Sequence, residues 1–408
     1  MTQRDQGHSG AAHTGSGGAL SDIRVLELGQ LIAGPFCGQL LGDMGAEVIK
    51  IEPPGSGDPM RAWGQGLPVW WPVIARNKKS VTLNLRDAEG QALLRRLVAQ
   101  ADVLIENFRP GTMEKWQLGY EALAAINPRL IMVRVSGFGQ TGPYAHRAGY
   151  GSIGEAMGGI RYLAGDPDRP PSRVGLSIGD SLAATYACLG TLAALHYRER
   201  SGRGQVVDSA IYEAVLAMME STIPEFTEAG VIRERSGSIL PKIAPSNVYP
   251  TRDGEMILIG ANQDSVFARL AEAMGEPGLA EDARYRDHTS RGEHQAELDE
   301  RIGRWSATLD ADALLELLEH HGVPAGRIYR APEMLEDPQF QARNSIVDVP
   351  HPTFRNLKMQ NVAPRLSESA GAIRWPGPAL GEHTRSVLGE LLGLSAGELD
   401  ALAARGTI

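Results

Sequence analysis

Apolar residues in this chain gather in short runs set apart by polar, glycine-rich stretches. Runs at 23–28, 47–52, 81–85, 102–106 and 130–135 are nearly continuous in Ile, Leu and Val, as in strands buried on both faces. Between them the apolar spacing changes. Cys37, Leu40, Leu41 and Met44 recur at helical intervals, and residues 90–101 do the same. Strand, loop, helix and strand therefore alternate. This predicts an α/β fold, with a Rossmann-like parallel sheet as the large domain and its site along one sheet edge.

Each run feeds a loop rich in Gly, Pro or Asn: Gly29 to Pro35, Pro53 to Pro59, Asn107 to Gly111, and Ser136 to Pro143. A further apolar run, Arg173-Val174-Gly175-Leu176-Ser177-Ile178, ends in Gly179-Asp180, and an Ala-rich helical pattern then runs over 181–198. A strand at 205–210 and a helix at 211–220 follow, and near Pro224 the pattern breaks. Residues 226–246 read as a linker. A hairpin with an Asp253-Gly254 turn, helices at 264–274, 293–305 and 310–320, and a strand at 323–329 then form a smaller α+β domain, 247–333. Residues 334–408 read as a linker and a return to the large domain, which begins at 20 and runs to 225. Residues 1–19 are Gly, Ser and His-rich without an apolar core and read as a disordered tail.

Composition narrows the function. The formal charge of −9 gives no electrostatic support for nucleic-acid binding. No apolar run approaches the ~20 residues that cross a bilayer, so no membrane partner is expected. Cys37 and Cys188 are the only cysteines, which is no disulfide framework and points to a reducing cytoplasm. No metal-ligand spacing, P-loop, GxGxxG or GxSxG appears, so neither a metal nor a dinucleotide is expected. Trp63, Trp70 and Trp71 are expected to pack a core edge. The basic cluster Arg76-Asn77-Lys78-Lys79 is expected on the solvated surface.

Asp180 stands out. Placed just before a helix it reads as an N-cap. The same placement keeps a carboxylate ionised, and Gly179 leaves room for a ligand beside it, so Asp180 also suits a nucleophile towards an activated acyl group.

Together, the first loop, Gly55-Ser56-Gly57-Asp58, Asn77-Lys78-Lys79-Ser80, Glu106 to Gly111, Gly137 to Pro143, Gly179-Asp180 and Gly202-Arg203-Gly204-Gln205 resemble, in order, the family III CoA-transferases, the formyl-CoA and carnitine CoA-transferase group. The resemblance covers about residues 20–390. It implies that Asp180 carries the acyl group as an aspartyl-CoA thioester. It implies CoA contacts by Gln30, Leu31, Ile32, Ala33, Leu83, Arg86, Asn107, Phe108, Lys115 and Phe138. Coenzyme A is then a co-substrate, with no permanently bound cofactor, and an interlocked homodimer is expected. The succinyl-CoA-dependent dicarboxylate branch is the most similar, so the partners are an acyl-CoA and a small dicarboxylic acid. Arg109, Arg147 and Arg173 are candidates for the acid's distal carboxylate, since a guanidinium pairs bidentately with a carboxylate. Gly237 is the candidate for a glycine loop that closes on the intermediate. Tyr150 stands where the related acyl-CoA racemases carry a basic His, and a phenol of pKa ~10 is a poor base there, which disfavours racemisation. A non-catalytic CoA-binding dimer is the remaining alternative.

Overall fold

The structure, a computed structural model, describes residues 18–408, so residues 1–17 of the expected tail lie outside the described residues. Internal contacts divide the chain into two units. The first comprises the chain up to Gly158 with Ser177–Met218 and Asn344–Ile408. The second comprises Gly159–Leu176 and Met219–Arg343.

In the first unit β1 (Arg24–Glu27), β2 (Glu47–Glu52), β3 (Lys78–Thr82), β4 (Val103–Glu106), β5 (Ile131–Ser136) and β6 (Val206–Ala210) form one six-stranded sheet in the order β3-β2-β1-β4-β5-β6. Every pairing is parallel. This is a doubly wound order, and it reverses between β1 and β4. Successive strand side chains point to opposite faces. Val25, Val48, Val103 and Val133 therefore pack with helices α1 (Ala33–Asp43) and α3 (Ile178–Ser201). Leu26, Ile49, Leu104 and Met132 face the other way, against helices Ala88–Val98, Thr384–Leu392 and Ala396–Ala404. Burial of each such side chain contributes about 1.5–3 kcal/mol. The buried face of α3 carries alanines, Ala183, Ala184 and Ala187, which bring its backbone close to the sheet. By length and composition alone α3 is long and apolar enough to cross a bilayer, and 44% of its most apolar stretch is buried inside the protein.

Two short helices flank α3: α2 (Gly151–Met157) and α4 (Ile211–Leu216). Small residues let them approach. A β-carbon on Gly154 would collide with Ile211, and one on Gly158 would meet the Val215 side chain at 2.6 Å.

The sequence reading needs three corrections here. The strand expected at 81–85 starts at Lys78, inside the basic cluster. That cluster is not solvated: Arg76 and Lys78 are 2% and 0% exposed. Each has a buried counter-charge, Asp43 for Arg76 at 2.6 Å and Glu27 for Lys78 at 2.7 Å. Of the three tryptophans, only Trp71 enters a core, beside Met60 and Ile74. Trp63 and Trp70 stay exposed and meet edge to face at 5.6 Å.

β3 is an edge strand, and residues 372–384 cover it. The Asn77 amide donates to Trp375 O at 3.1 Å and His383 N to Ser80 O at 2.9 Å, and the Thr82 amide donates to Thr384 Oγ1 at 2.9 Å. The hairpin β10 (Ile346–His351) and β11 (Arg355–Gln360) also belongs to this unit.

The second unit holds the antiparallel sheet β7 (Ser246–Pro250), β8 (Met256–Gly260) and β9 (Ala325–Arg327). Helices Asp264–Ala273, Gln295–Ser306 and Ala311–His320 enclose Phe267, Leu270, Ile302 and Leu314 with it. Buried Arg291 donates to the carbonyls of Ala244, Tyr285 and Asn262 and pairs with Asp264. Residues 159–176, read from sequence within the large domain, group here because their contacts lie here. Tyr162 donates to Glu234 at 2.6 Å, and Gly237 N donates to Gly165 O at 3.1 Å.

Candidate active site

Strand order reverses between β1 and β4, and the carboxyl ends of strands beside such a reversal are the usual ligand position in open α/β sheets. The loop after β1 carries Gln30 and Leu31, both half-buried, then Ile32 and Ala33, both buried. The loop after β4 carries Asn107 and Phe108. The Asn107 side chain spans the two loops, accepting from Gln30 N at 2.8 Å and donating to Gln30 O at 2.9 Å. Its amide is therefore occupied in fixing the first loop. Leu31 takes a left-handed backbone, φ 63°, unusual for a branched side chain. Its N–H is held by Asp58 Oδ1 at 3.0 Å.

Charged clusters stand beneath both loops. Under the first, Lys50 pairs with Asp58 at 2.8 Å and Glu27 at 3.1 Å, and also donates to Gly29 O. Lys78 pairs with Glu27 and donates to Pro35 O at 2.7 Å. Burial alone raises the Asp58 carboxyl, but Lys50 and the Met60 and Leu31 amides outweigh it and hold the carboxyl below its ordinary range. Burial opposes charge on Lys50, and Glu27 and Asp58 reverse that and raise it. Under the second loop, Arg134 bridges Glu106 at 2.7 Å and Glu114 at 2.7 Å, and Glu106 accepts from Phe108 N at 2.8 Å. Phe108 packs edge to face on Trp116 at 5.3 Å.

Asp180 is the third residue of α3, with Ser177 as its N-cap, so it is neither the residue before the helix nor the cap. It sits half-buried in the first turn, where the helix dipole favours a carboxylate. The carboxylate lies over Gly151 so closely that a β-carbon there would collide with Oδ2 and come within 3.0 Å of Oδ1. Only glycine at the start of α2 allows this approach. Glu155, 1% exposed, accepts from Gly179 N at 3.4 Å, so that amide is engaged by a side chain.

The remaining candidates are spread more widely. Leu83 is 1% exposed in the core, leaving only its backbone to face a ligand, and Arg86 is exposed just beyond. Arg109 and Lys115 are exposed around the short helix Thr112–Lys115. Phe138 lies between Tyr144 and Tyr212, with ring centroids at 6.0 and 6.5 Å, and Arg147 stacks on Tyr144 at 3.7 Å. Tyr150, the N-cap of α2, is 71% exposed. Arg173 and Gly237 lie in the second unit, where Arg173 Nε donates to Leu176 O at 3.3 Å and Gly237 adopts φ 66°. Among the described residues, no group of three His, Cys, Asp or Glu side chains is placed to hold a metal ion. Sequence reasoning missed Glu27, Lys50 and Asp58 as a unit, and Gly151 and Glu155 beside Asp180. The Gly57-Asp58 turn was the available signal.

A cavity of about 380 Å³ lies at the amino ends of β2 and β3, lined by Asp43, Lys79, Arg374 and Trp375 among others. In its lining Lys79 pairs with Glu47, and Arg374 donates to Gly42 O and Ala46 O.

Comparison with known proteins shows which family the chain belongs to. The succinyl-CoA–D-citramalate CoA-transferase of Chloroflexus aurantiacus is 62% identical over 393 residues, 95% of this chain and 98% of that protein. A succinate–glutarate CoA-transferase of Agrobacterium fabrum is 38% identical, covering 91% of this chain and 95% of that protein. Among solved structures, a CAIB/BAIF family protein from Brucella suis superimposes with a TM-score of 0.82 at 36% identity, covering 92% of this chain and all of that one. Residues 20–384 match CoA-transferase family III, and the chain is a member of that family.

Proposed function

We propose that this enzyme moves CoA from succinyl-CoA to a dicarboxylic acid, with D-citramalate the first acceptor to test. The observation that carries the chemistry is Asp180 in the first turn of α3, its carboxylate lodged over Gly151. The acceptor class rests on the relatives, whose names specify citramalate, malate, glutarate and mesaconate.

In this reading Asp180 attacks the thioester carbonyl, and the C–S bond breaks to give a mixed anhydride and CoA thiolate. The thiolate attacks the aspartyl carbonyl, which releases succinate and leaves an aspartyl-CoA thioester. The acceptor carboxylate then attacks this thioester and frees the thiolate. The thiolate attacks the acceptor's acyl carbon, which forms the new thioester and restores Asp180. Across the whole cycle one CoA thioester replaces another, so no ATP is needed. The loops carrying Gln30, Leu31 and Phe108 are the proposed acyl-CoA site, with Arg86, Arg109 and Lys115 available to its phosphates.

A homodimer belongs to the same proposal. Leu189 and Tyr197 on α3, and Ile153 and Met157 on one side of α2, are all more than two-fifths exposed, an apolar surface suited to a second copy. Two buried, unbridged cysteines fit a cytoplasmic setting.

The test is a transfer assay with succinyl-CoA and a panel of mono- and dicarboxylic acids, alongside Asp180→Ala. Hydroxylamine trapping should label Asp180 in the parent after succinyl-CoA is added. Equal transfer by both proteins would remove Asp180 from the chemistry. Sedimentation at several concentrations tests the dimer.

A further inference from the structure

We infer that Asp58 is a positioning residue for acyl-CoA, holding the loop after β1 in its binding shape without touching the ligand. The inference rests on the reading of Gln30 and Leu31 as part of the acyl-CoA site.

Four polar backbone groups at the turn of this loop are engaged by side chains from outside it. Gly29 O accepts from Lys50. Gln30 N and Gln30 O are both taken by Asn107. Leu31 N donates to Asp58. The fourth contact bears the greatest strain, because Leu31 stands at φ 63°, where a β-carbon crowds the carbonyl and an L-residue is disfavoured. A hydrogen bond to an ionised, buried acceptor offsets that preference.

Asp58 is itself fixed on three sides. Its Oδ2 meets Lys50 at 2.8 Å, its Oδ1 also caps Met60 N at 2.9 Å, and its own N–H donates to Glu52 Oε2 at 3.0 Å. Glu52 is held in turn by Arg61 at 2.7 Å. Asp58 is 1% exposed, so the carboxylate lies beneath the loop and acts on it from below. The Gly57-Asp58 turn therefore sets the orientation in which Gln30 is presented at the sheet edge.

The test compares Asp58→Ala, Asp58→Asn, Leu31→Gly and the Asp58→Ala/Leu31→Gly double variant for kcat and for the KM of succinyl-CoA. Losing a hydrogen bond to a charged group predicts a rise in KM of about tenfold for Asp58→Ala, with kcat within about threefold. Asp58→Asn keeps an acceptor for the amide and should fall between. The decisive readout is coupling. Glycine enters the left-handed region without steric penalty, so Leu31→Gly should recover part of the KM lost in Asp58→Ala, about fivefold. A residue that merely supports the fold would show no such rescue. Should Asp58→Ala fail to fold, the same coupling is read between Asp58→Asn and Leu31→Gly. Gln30→Glu separates the two layers of the argument by placing a negative charge on the loop facing an anionic ligand. If Gln30→Glu raises the acyl-CoA KM while the Asp58 variants leave it unchanged or show no coupling to Leu31, the positioning role is overturned and the site reading stands. If Gln30→Glu leaves that KM unchanged, the loop is not at the acyl-CoA site, and the role of Asp58 falls with it.

Discussion

Two loops meet at the same sheet edge, and the chain braces them differently. Beneath the first, Glu27, Lys50, Lys78 and Asp58 make a balanced set of two cations and two anions, each side chain 1% exposed or less. Beneath the second, one guanidinium serves two carboxylates, and Glu114 is 47% exposed. Water can replace a partner in the second brace. In the first, the other charges, the carbonyls of Gly29 and Pro35 and the amides of Leu31 and Met60 stand in for solvent. A buried charge stripped of its partner has nowhere to go. The first brace should therefore be rigid and intolerant, and the second forgiving.

The largest expected effect is on Lys78→Met, which leaves Glu27 with one cation and should cost about 3–5 kcal/mol in denaturant unfolding. A loss below about 1 kcal/mol would show that water enters the cluster and would erase the contrast. Next is Gly38→Ala. A β-carbon there would collide with Glu27 Oε2, so the brace itself must shift, at about 1–3 kcal/mol. Glu114→Ala tests the open brace and should cost about 1 kcal/mol or less.

Acid should separate Asp58 of the first brace from Glu106 of the second by sign. The Asp58 carboxyl is held low in the fold, so its contribution is complete above the ordinary carboxylate pKa of ~4 and is lost as pH falls through the lowered value. Burial outweighs Arg134 at Glu106 and raises that carboxyl, so its protonated form is the one folding favours, and stability is gained on acidification through the raised value. Stability measured against pH should show a flat difference between the parent and Asp58→Asn from about pH 8 to 5, shrinking only below ~4. The difference between the parent and Glu106→Gln should already change above that range. The smallest effect is on the exposed pair Arg385–Asp400, where removing either partner should leave the melting temperature unmoved.

Much of the first unit was legible because parallel strands are buried on both faces and read as apolar runs. Asp180 was legible because an apolar run, a glycine and an acid preceded a helical pattern. Its place within the helix was not, since the helix begins two residues earlier, at Ile178, inside the apolar run that reads as a strand. Lys78 and Lys79 hid the start of β3. Two adjacent lysines read as solvated, and the counter-charge on Glu27 lies on a strand that is not even β3's neighbour in the sheet. Asn107 was legible as important but not in its work, because nothing local shows that Gln30 consumes its amide. Nothing local marks Gly151, whose meaning lies in the Asp180 carboxylate that arrives from another helix.

The covering of β3 has a consequence for how the protein is made. The edge strand emerges early from the ribosome, while its covering contacts, such as Thr82 with Thr384, come from residues 302 positions later. For most of synthesis the nascent sheet carries an open edge, the kind of surface that recruits stray strands. Release of the C-terminal segment closes it, so a chain cut short before residue 372 should be prone to clumping even with Asp180 and both loops intact.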